Sequence, residues 1–84
     1  MPLKMHEVDV QDEYTAGEMQ ASAQFDTDNM QASVLQWLQN EHERCGIEAD
    51  LYVHQATQNG SEWQFVILDR CQDGGSMIVT CKPK

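Results

Sequence analysis

The sequence predicts an α+β fold of order β-α-β-β-β, in which one helix packs on a four-stranded, mainly antiparallel sheet. The sequence does not decide whether an extra N-terminal strand is present. Three observations predict this fold: residues 17–25 alternate apolar and polar side chains, residues 28–45 carry an apolar stripe with helical spacing, and turn signals divide residues 50–82. A chain of 84 residues can build only one thin core, so we expect a single domain.

The N-terminal segment, residues 1–16, is the least defined part of the pattern. It is polar and acidic, and only Val8 and Val10 alternate with polar neighbours. We interpret it either as an acidic arm or as an edge strand, and the sequence does not decide between them.

The first clear strand is predicted over residues 17–25. Its apolar members alternate strictly with glutamate, glutamine and serine, which is typical of a strand with one buried face. These apolar members are Met19, Ala21, Ala23 and Phe25.

The helix is predicted over residues 28–45, with Asp28 as its N-cap and Gln31 as the capping-box partner. An apolar stripe follows at helical spacing. The stripe consists of Met30, Val34, Trp37, Leu38 and Cys45. Gly46 stands where helices often end in the left-handed conformation.

Residues 50–82 are predicted to form a three-stranded antiparallel meander, because Asn59-Gly60 is a strong hairpin signal and Asp73-Gly74-Gly75 marks a second turn. With two-residue turns, alternate side chains form an aliphatic and an aromatic face. The aliphatic face comprises Leu51, Val53, Val66, Leu68, Met77, Val79 and Cys81, and the aromatic face comprises Tyr52, Trp63, Phe65, Ile67 and Ile78. We expect the helix to cover the aliphatic face; the reverse placement, or a three-residue second turn, is the alternative.

The aromatic face then needs a cover, which the N-terminal arm, a second copy of the chain or a partner protein could supply. Exposed aromatic patches are typical of interaction sites, and tryptophan and tyrosine are favoured interface anchors. We therefore expect a partner to bind this face. The predicted partner-binding residues are Tyr52, His54, Trp63, Phe65 and Ile67.

The charge of the chain indicates the chemistry of that partner. Fourteen acidic residues against five basic ones give a net charge of −9, which disfavours direct binding to nucleic acid or to a membrane surface. A basic protein partner would instead be attracted. The acidic residues expected at the interface are Glu7, Asp9, Asp12, Glu13, Glu18 and Asp26. The simpler alternative is that the charge serves solubility alone.

These features favour a small, non-catalytic protein-binding module. Its sharpest form is an inhibitor or regulator that mimics the charge of nucleic acid and so blocks a basic partner. In size and charge alone the chain is similar to anti-CRISPR and anti-restriction proteins of phages and mobile elements. No residue of this chain is assigned a role from that similarity. A self-associating homodimeric domain of unknown role is the first alternative.

A small metal or thiol protein, with His42, Cys45 and Cys81, is the second alternative. His42 and Cys45 share a helix face, but a zinc site needs four ligands. The remaining candidates are Cys71, Cys81, His6 and His54. The sequence also lacks HExxH, P-loop and Rossmann glycine patterns. We therefore expect neither an enzyme activity nor a cofactor.

The cellular location follows from the cysteines and the N-terminus. Three cysteines without tight spacing do not suggest a disulfide framework, and residues 1–10 lack the apolar run of a signal peptide. The sequence therefore predicts a cytoplasmic protein with reduced thiols.

Overall fold

The computed structural model describes residues 2–13, 17–71 and 75–84. Its elements are β1 (Leu3–Asp12), β2 (Gly17–Asp26), α1 (Met30–Arg44), β3 (Leu51–Asn59), β4 (Glu62–Asp69) and β5 (Ser76–Pro83). The five strands form one antiparallel sheet of order β2-β1-β5-β4-β3, and α1 packs on it, so the fold is α+β. In the described part of the chain, no helix has the length and apolarity needed to cross a bilayer.

The N-terminal segment forms an interior strand. β1 pairs with β2 on one side, where Val8 lies opposite Ala21, and with β5 on the other, where Val8 lies opposite Cys81. An additional N-terminal strand is thus present, but its interpretation as an edge strand or arm is wrong. The physical reason is a longer buried face than the sequence suggested, since His6 is only 2% exposed and extends the alternation of Val8 and Val10.

The helix begins at Met30, so the predicted N-cap at Asp28 is wrong by one residue. Asn29 takes the N-cap position without a side-chain capping bond. Asp26 organises the preceding turn instead, because its Oδ1 accepts the Asp28 N–H at 3.0 Å and its carbonyl accepts the Asn29 N–H at 3.0 Å.

The helix ends as the sequence predicted, with Gly46 in the left-handed conformation at φ 74°. The Gly46 N–H donates to the Glu43 carbonyl at 3.0 Å and the Ile47 N–H to the His42 carbonyl at 2.9 Å. These two bonds form a Schellman motif, which satisfies carbonyls of the last helical turn. Cys45 is the C-cap and is exposed, so its assignment to the apolar stripe is wrong.

The β3–β4 hairpin turns at Gly60-Ser61, one residue later than predicted, because Asn59 pairs with Glu62. Farther from the turn, a register irregularity between Val53 and Gln55 leaves His54 without an opposite residue. Beyond it Val53 pairs with Ile67 rather than with Val66. A bulge of this kind moves every later side chain of the strand to the other face relative to its partners.

The β4–β5 pairing is also different from the prediction. Phe65 lies opposite Val79 and Ile67 opposite Met77, so these four residues share one face. Both forms of the predicted second turn, Asp73-Gly74 and Gly74-Gly75, include Gly74, which lies outside the described residues.

The hydrophobic core lies between α1 and a mixed face of the sheet, and the expectation that the helix covers an aliphatic face is wrong. Phe65 and Ile67, both 0% exposed, lie under the helix, whereas Val66 and Leu68 do not. The buried apolar residues are Val8, Val10, Phe25, Met30, Val34, Leu38, Leu51, Phe65, Ile67, Met77, Val79 and Cys81. The two register differences in the hairpins are the physical reason for this outcome.

Candidate binding face

Alternate residues of the five strands point away from α1, and we call this side of the sheet the outer face. It is formed by the odd-numbered residues of β1, the even-numbered residues of β2, β4 and β5, and Tyr52, Gln55, Thr57 and Asn59 of β3. All of these side chains are exposed or half-buried. Among the described residues, therefore, none is buried on this side of the sheet, although a sheet of this size has room for a second layer.

The outer face has two chemically different halves. Glu7, Asp9 and Glu18 on β1 and β2 form an acidic strip. On the other three strands, Val66 lies opposite Ile78 and Leu68 lies opposite Tyr52. These four half-buried side chains, Tyr52, Val66, Leu68 and Ile78, form an apolar strip. A carboxylate region thus lies beside an apolar one on a single surface.

Asp9 is the central residue of the acidic strip. It lies opposite Gln20 on β2 and opposite Thr80 on β5. Its Oδ1 is buried and accepts no hydrogen bond from the described residues. A buried polar atom without a partner costs roughly 1–3 kcal/mol, and more when it is charged. Asp9 therefore carries a carboxylate oxygen whose hydrogen-bonding capacity is not used by the described residues.

A shallow cleft surrounds Asp9 on the outer face, with a volume of about 630 Å³. Its lining comprises Glu7, Val8, Asp9, Gln20, Ala21, Ser22, Thr80 and Lys82. Two carboxylates against one ammonium group leave the lining acidic. Amide and hydroxyl groups complete it, so the cleft suits a cationic, hydrogen-bonding side chain.

Both arginines of the chain pair outside the acidic strip. Arg44 forms an ion pair with Glu41 on the helix, and Arg70 Nη1 lies 3.3 Å from Asp50 Oδ1. The Arg70 guanidinium also lies over the Tyr52 ring, 4.1 Å from its centroid, which is a cation–π geometry. Arg70 therefore lies at the Tyr52 end of the apolar strip, and neither arginine pairs with a carboxylate of the acidic strip.

The five predicted aromatic-face residues do not share a face. Tyr52 lies on the outer face, and His54 is exposed at the bulge. Trp63, Phe65 and Ile67 are on the helix side, where Trp63 stacks on Phe65 with ring centroids 5.6 Å apart. Phe65 and Ile67, both fully buried, cannot contact a partner in the folded protein.

Val66 and Leu68 lie on the outer face instead, and the sequence did not predict them as partner-binding residues. Their apolar character was visible, but which face they occupy depends on the bulge at His54 and on the pairing with β5. Nothing in their own sequence pattern distinguishes the two faces of β4, because both carry large apolar residues.

The six predicted acidic residues are also divided. Glu7, Asp9 and Glu18 form the acidic strip, and Asp26 lies at the end of the same face with its Oδ1 committed to the turn before α1. The other two lie at the opposite end of β1. Glu13 Oε2 accepts the Ser76 hydroxyl at 2.9 Å, and Asp12 is on the helix side.

The candidate thiol and metal residues lie apart in the fold. Cys45 and Cys71 are exposed, Cys81 is buried, and all three are free. His42 Nδ1 lies 2.9 Å from the Leu38 carbonyl oxygen, a local helix contact. Within residues 2–13, 17–71 and 75–84, no three histidine, cysteine, aspartate or glutamate side chains cluster so that they could hold a metal ion.

Burial raises the pKa of the Cys81 thiol to about 12, which predicts unequal reactivity of the three cysteines. The thiolate is the reactive form, so we expect Cys45 and Cys71 to be alkylated in the native state at pH 8, and Cys81 only after unfolding. Intact-mass spectrometry after iodoacetamide treatment measures this. Two adducts in buffer and three in denaturant are expected, and a third adduct in buffer would show that Cys81 is accessible.

Comparison with known proteins gives no relative: no family model, curated protein or solved structure matches this chain.

Proposed function

We propose that this protein is a small, non-catalytic binding module that receives a basic protein partner on its outer face. The observation that carries the proposal is the shallow, acidic cleft lined by Glu7 and Asp9, where Asp9 Oδ1 accepts no hydrogen bond from the described residues. A lysine or arginine side chain of a partner would pair with the carboxylates that line this cleft, and a charge-assisted hydrogen bond is about twice as strong as a neutral one.

The apolar strip supports the same surface. Interfaces combine apolar area, which supplies most of the binding free energy, with charged groups that set specificity and speed of association. Tyr52, Val66, Leu68 and Ile78 offer the apolar part next to the acidic strip. A partner with a basic patch beside an apolar one would match both halves.

The sharper form of the proposal is an inhibitor or regulator. A basic protein that binds nucleic acid presents lysine and arginine side chains to a row of phosphates. The acidic strip presents carboxylates on adjacent strands, and strands lie about 4.8 Å apart. With a net charge of −9, this chain would compete with nucleic acid for such a surface.

A homodimer through the outer face is the alternative. Two copies would bring together two chains of charge −9, which opposes association at low ionic strength. A twofold axis through the apolar strip would pair apolar side chains but would still bring the two acidic surfaces close together. The basic-partner proposal avoids this repulsion.

The test uses affinity capture from the native host with two charge-matched variants. In Glu7→Lys/Glu18→Lys the acidic strip is reversed, and in Glu43→Lys/Glu48→Lys the same number of exposed carboxylates is reversed elsewhere. We expect the first variant to bind the captured basic partner at least about tenfold more weakly, which corresponds to about 1.4 kcal/mol. The second variant should remain close to wild type.

Three outcomes contradict the proposal. Equal losses in both variants would indicate a general effect of net charge, and unchanged binding in both would remove the acidic strip from the interface. Finding that the wild-type protein elutes as a dimer in light-scattering chromatography would favour self-association. Raising the salt concentration should weaken the wild-type complex, because exposed ion pairs are screened.

A further inference from the structure

β2 is an edge strand that is open to pairing. It is the outermost strand on one side of the sheet. Its pairing with β1 is continuous from Asp26, opposite Leu3, to Gly17, opposite Asp12. Between Glu18 and Asp26 it carries no charge, no proline and no bulge. Natural sheets usually protect a long edge with one of these features.

The other edge of the sheet is different. β3 carries the irregularity between Val53 and Gln55, which interrupts its regular hydrogen-bonding pattern. Arg70 and Asp50 also pair across the end of this strand. β2 is therefore the edge at which an added strand finds the longest uninterrupted template.

The backbone groups available at this edge can be identified. The Thr27 N–H donates to the Pro2 carbonyl at 3.0 Å, whereas the Asp26 N–H points away from β1 and donates to Ser33 Oγ at 3.1 Å. Because these groups alternate along a strand, Glu18, Gln20, Ser22 and Gln24 direct their N–H and C=O groups to the open edge. Four residues thus offer a regular antiparallel or parallel ladder.

Clefts on both sides of β2 could receive the side chains of an added strand. On the outer face, Gln20 and Ser22 line the cleft around Asp9. On the helix side, Trp37 lines one cleft of about 470 Å³, which reaches the edge strand at Gln24. Met19 and Ile47 line another cleft of about 310 Å³. Met19 and Ile47 are 38% and 52% exposed, so apolar surface is available there. Alternate side chains of a new strand would enter the two sides in turn.

The charges around the edge select the occupant. Glu18 and Asp26 bound the uncharged segment of β2, and Glu7 and Asp9 lie on the next strand. A second copy paired antiparallel about Ser22 would place Glu18 opposite Asp26, and like charges directly opposite are destabilising. A strand that carries lysine or arginine avoids this repulsion and gains attraction.

We propose that the open edge of β2 accepts an extended, lysine- or arginine-containing segment of a partner protein as a sixth strand. This inference rests on the proposed function, since it takes the partner to be basic. It adds the mode of binding: backbone hydrogen bonds to β2 provide register, and basic side chains on one side of the segment reach the cleft around Asp9.

The test uses a synthetic peptide of four Lys-Val repeats, observed by NMR on the isotopically labelled protein at low ionic strength. We expect chemical-shift changes along β2 and at least about tenfold slower hydrogen exchange at the amides of Glu18, Gln20, Ser22 and Gln24, because hydrogen-bonded amides exchange only on opening. The same peptide with alternate backbone nitrogens methylated should bind at least about tenfold more weakly.

A matched pair of variants tests the edge from the protein side. Ser22→Pro removes one outward N–H and leaves the bonds to β1 in place, so the fold should persist while peptide affinity falls at least about tenfold. Ser22→Ala keeps the N–H and removes only the hydroxyl that lines the cleft, so its loss of affinity measures the side-chain contribution and should be much smaller than that of Ser22→Pro. The methylated peptide gives the same information without any change in the protein.

Each remaining outcome overturns the inference. If the chemical-shift changes were confined to the apolar strip and Ser22→Pro bound the peptide as tightly as wild type, the outer face would be the binding site and the edge of β2 would not. No binding of the peptide would remove strand addition by a basic segment, while loss of the captured partner in Glu7→Lys/Glu18→Lys would still support the proposed function. A dimer that Ser22→Pro dissociates would assign the edge to a second copy.

Discussion

Ile67→Asp is expected to unfold the protein, whereas Val66→Asp, at the adjacent residue, is expected to leave it folded. Ile67 is 0% exposed and lies opposite Met77 in the core, so the variant loses apolar burial and places an unpaired carboxylate under the helix. The combined cost should exceed about 5 kcal/mol. A domain of this size is stabilised by only about 4–13 kcal/mol in total.

Val66→Asp is the matched control because it introduces the same side chain on the opposite face of the same strand. Val66 is half-buried beside Ile78 on the outer face, where an aspartate stays in contact with water. We expect a loss of about 1–2 kcal/mol from reduced burial and strand propensity.

Urea unfolding followed by circular dichroism at neutral pH measures both variants. A folded Ile67→Asp together with an unfolded Val66→Asp would show that α1 covers the other face of the sheet. In that case the acidic strip would lie on the buried side, and the proposed binding face would have to be abandoned.

The faces of the meander could not be predicted from the sequence, although its strands could. Alternation and the turn glycine located β3, β4 and β5 closely, because local pattern determines where strands run. Which face is buried depends on one unpaired residue, His54, and on the β4–β5 register. Both faces of β4 carry large apolar side chains, so hydrophobic pattern gives no preference between them.

The interior position of β1 in the sheet could not be predicted from the sequence either. Its apolar content suggested a short strand, since only Val8 and Val10 alternate visibly. The buried His6 extends that face: its ring lies 5.5 Å from that of Phe25, and its Nδ1 lies 2.8 Å from the Lys4 carbonyl oxygen. In the sequence, a histidine that is buried cannot be told from a polar surface residue. The pairing of β1 with β5, which makes β1 an interior strand, joins segments far apart in the sequence.

The acidity of the binding face could be read from composition, but its centre could not. Glu7, Asp9 and Glu18 were expected to contact a partner only as members of an acidic segment. The order β2-β1-β5 encloses Asp9 between Gln20 and Thr80, and this enclosure buries one carboxylate oxygen. Burial of one atom depends on strands distant in sequence, so no local signal reveals it.

Phe25→Ala is expected to destabilise the protein by about 3–5 kcal/mol, the usual cost of removing a buried aromatic ring. Phe25 is 1% exposed, and its ring lies between those of His6 and Trp37, at 5.5 Å and 5.9 Å between centroids. It thereby connects β1, β2 and α1 near the point where the chain passes from β2 into α1. The neighbouring Gln24→Ala, on the outer face, should change stability by less than about 0.5 kcal/mol.

Urea unfolding of both variants gives the difference in free energy of unfolding, and Trp37→Ala completes a double-mutant cycle. The edge-to-face geometry of Phe25 and Trp37, at 78° between ring planes, predicts a coupling energy of about 0.5–1.5 kcal/mol. A loss below about 1 kcal/mol for Phe25→Ala, or no coupling to Trp37, would contradict the packing of α1 on β2. Because that packing determines which sheet face stays open, the same result would also remove the basis for placing a partner there.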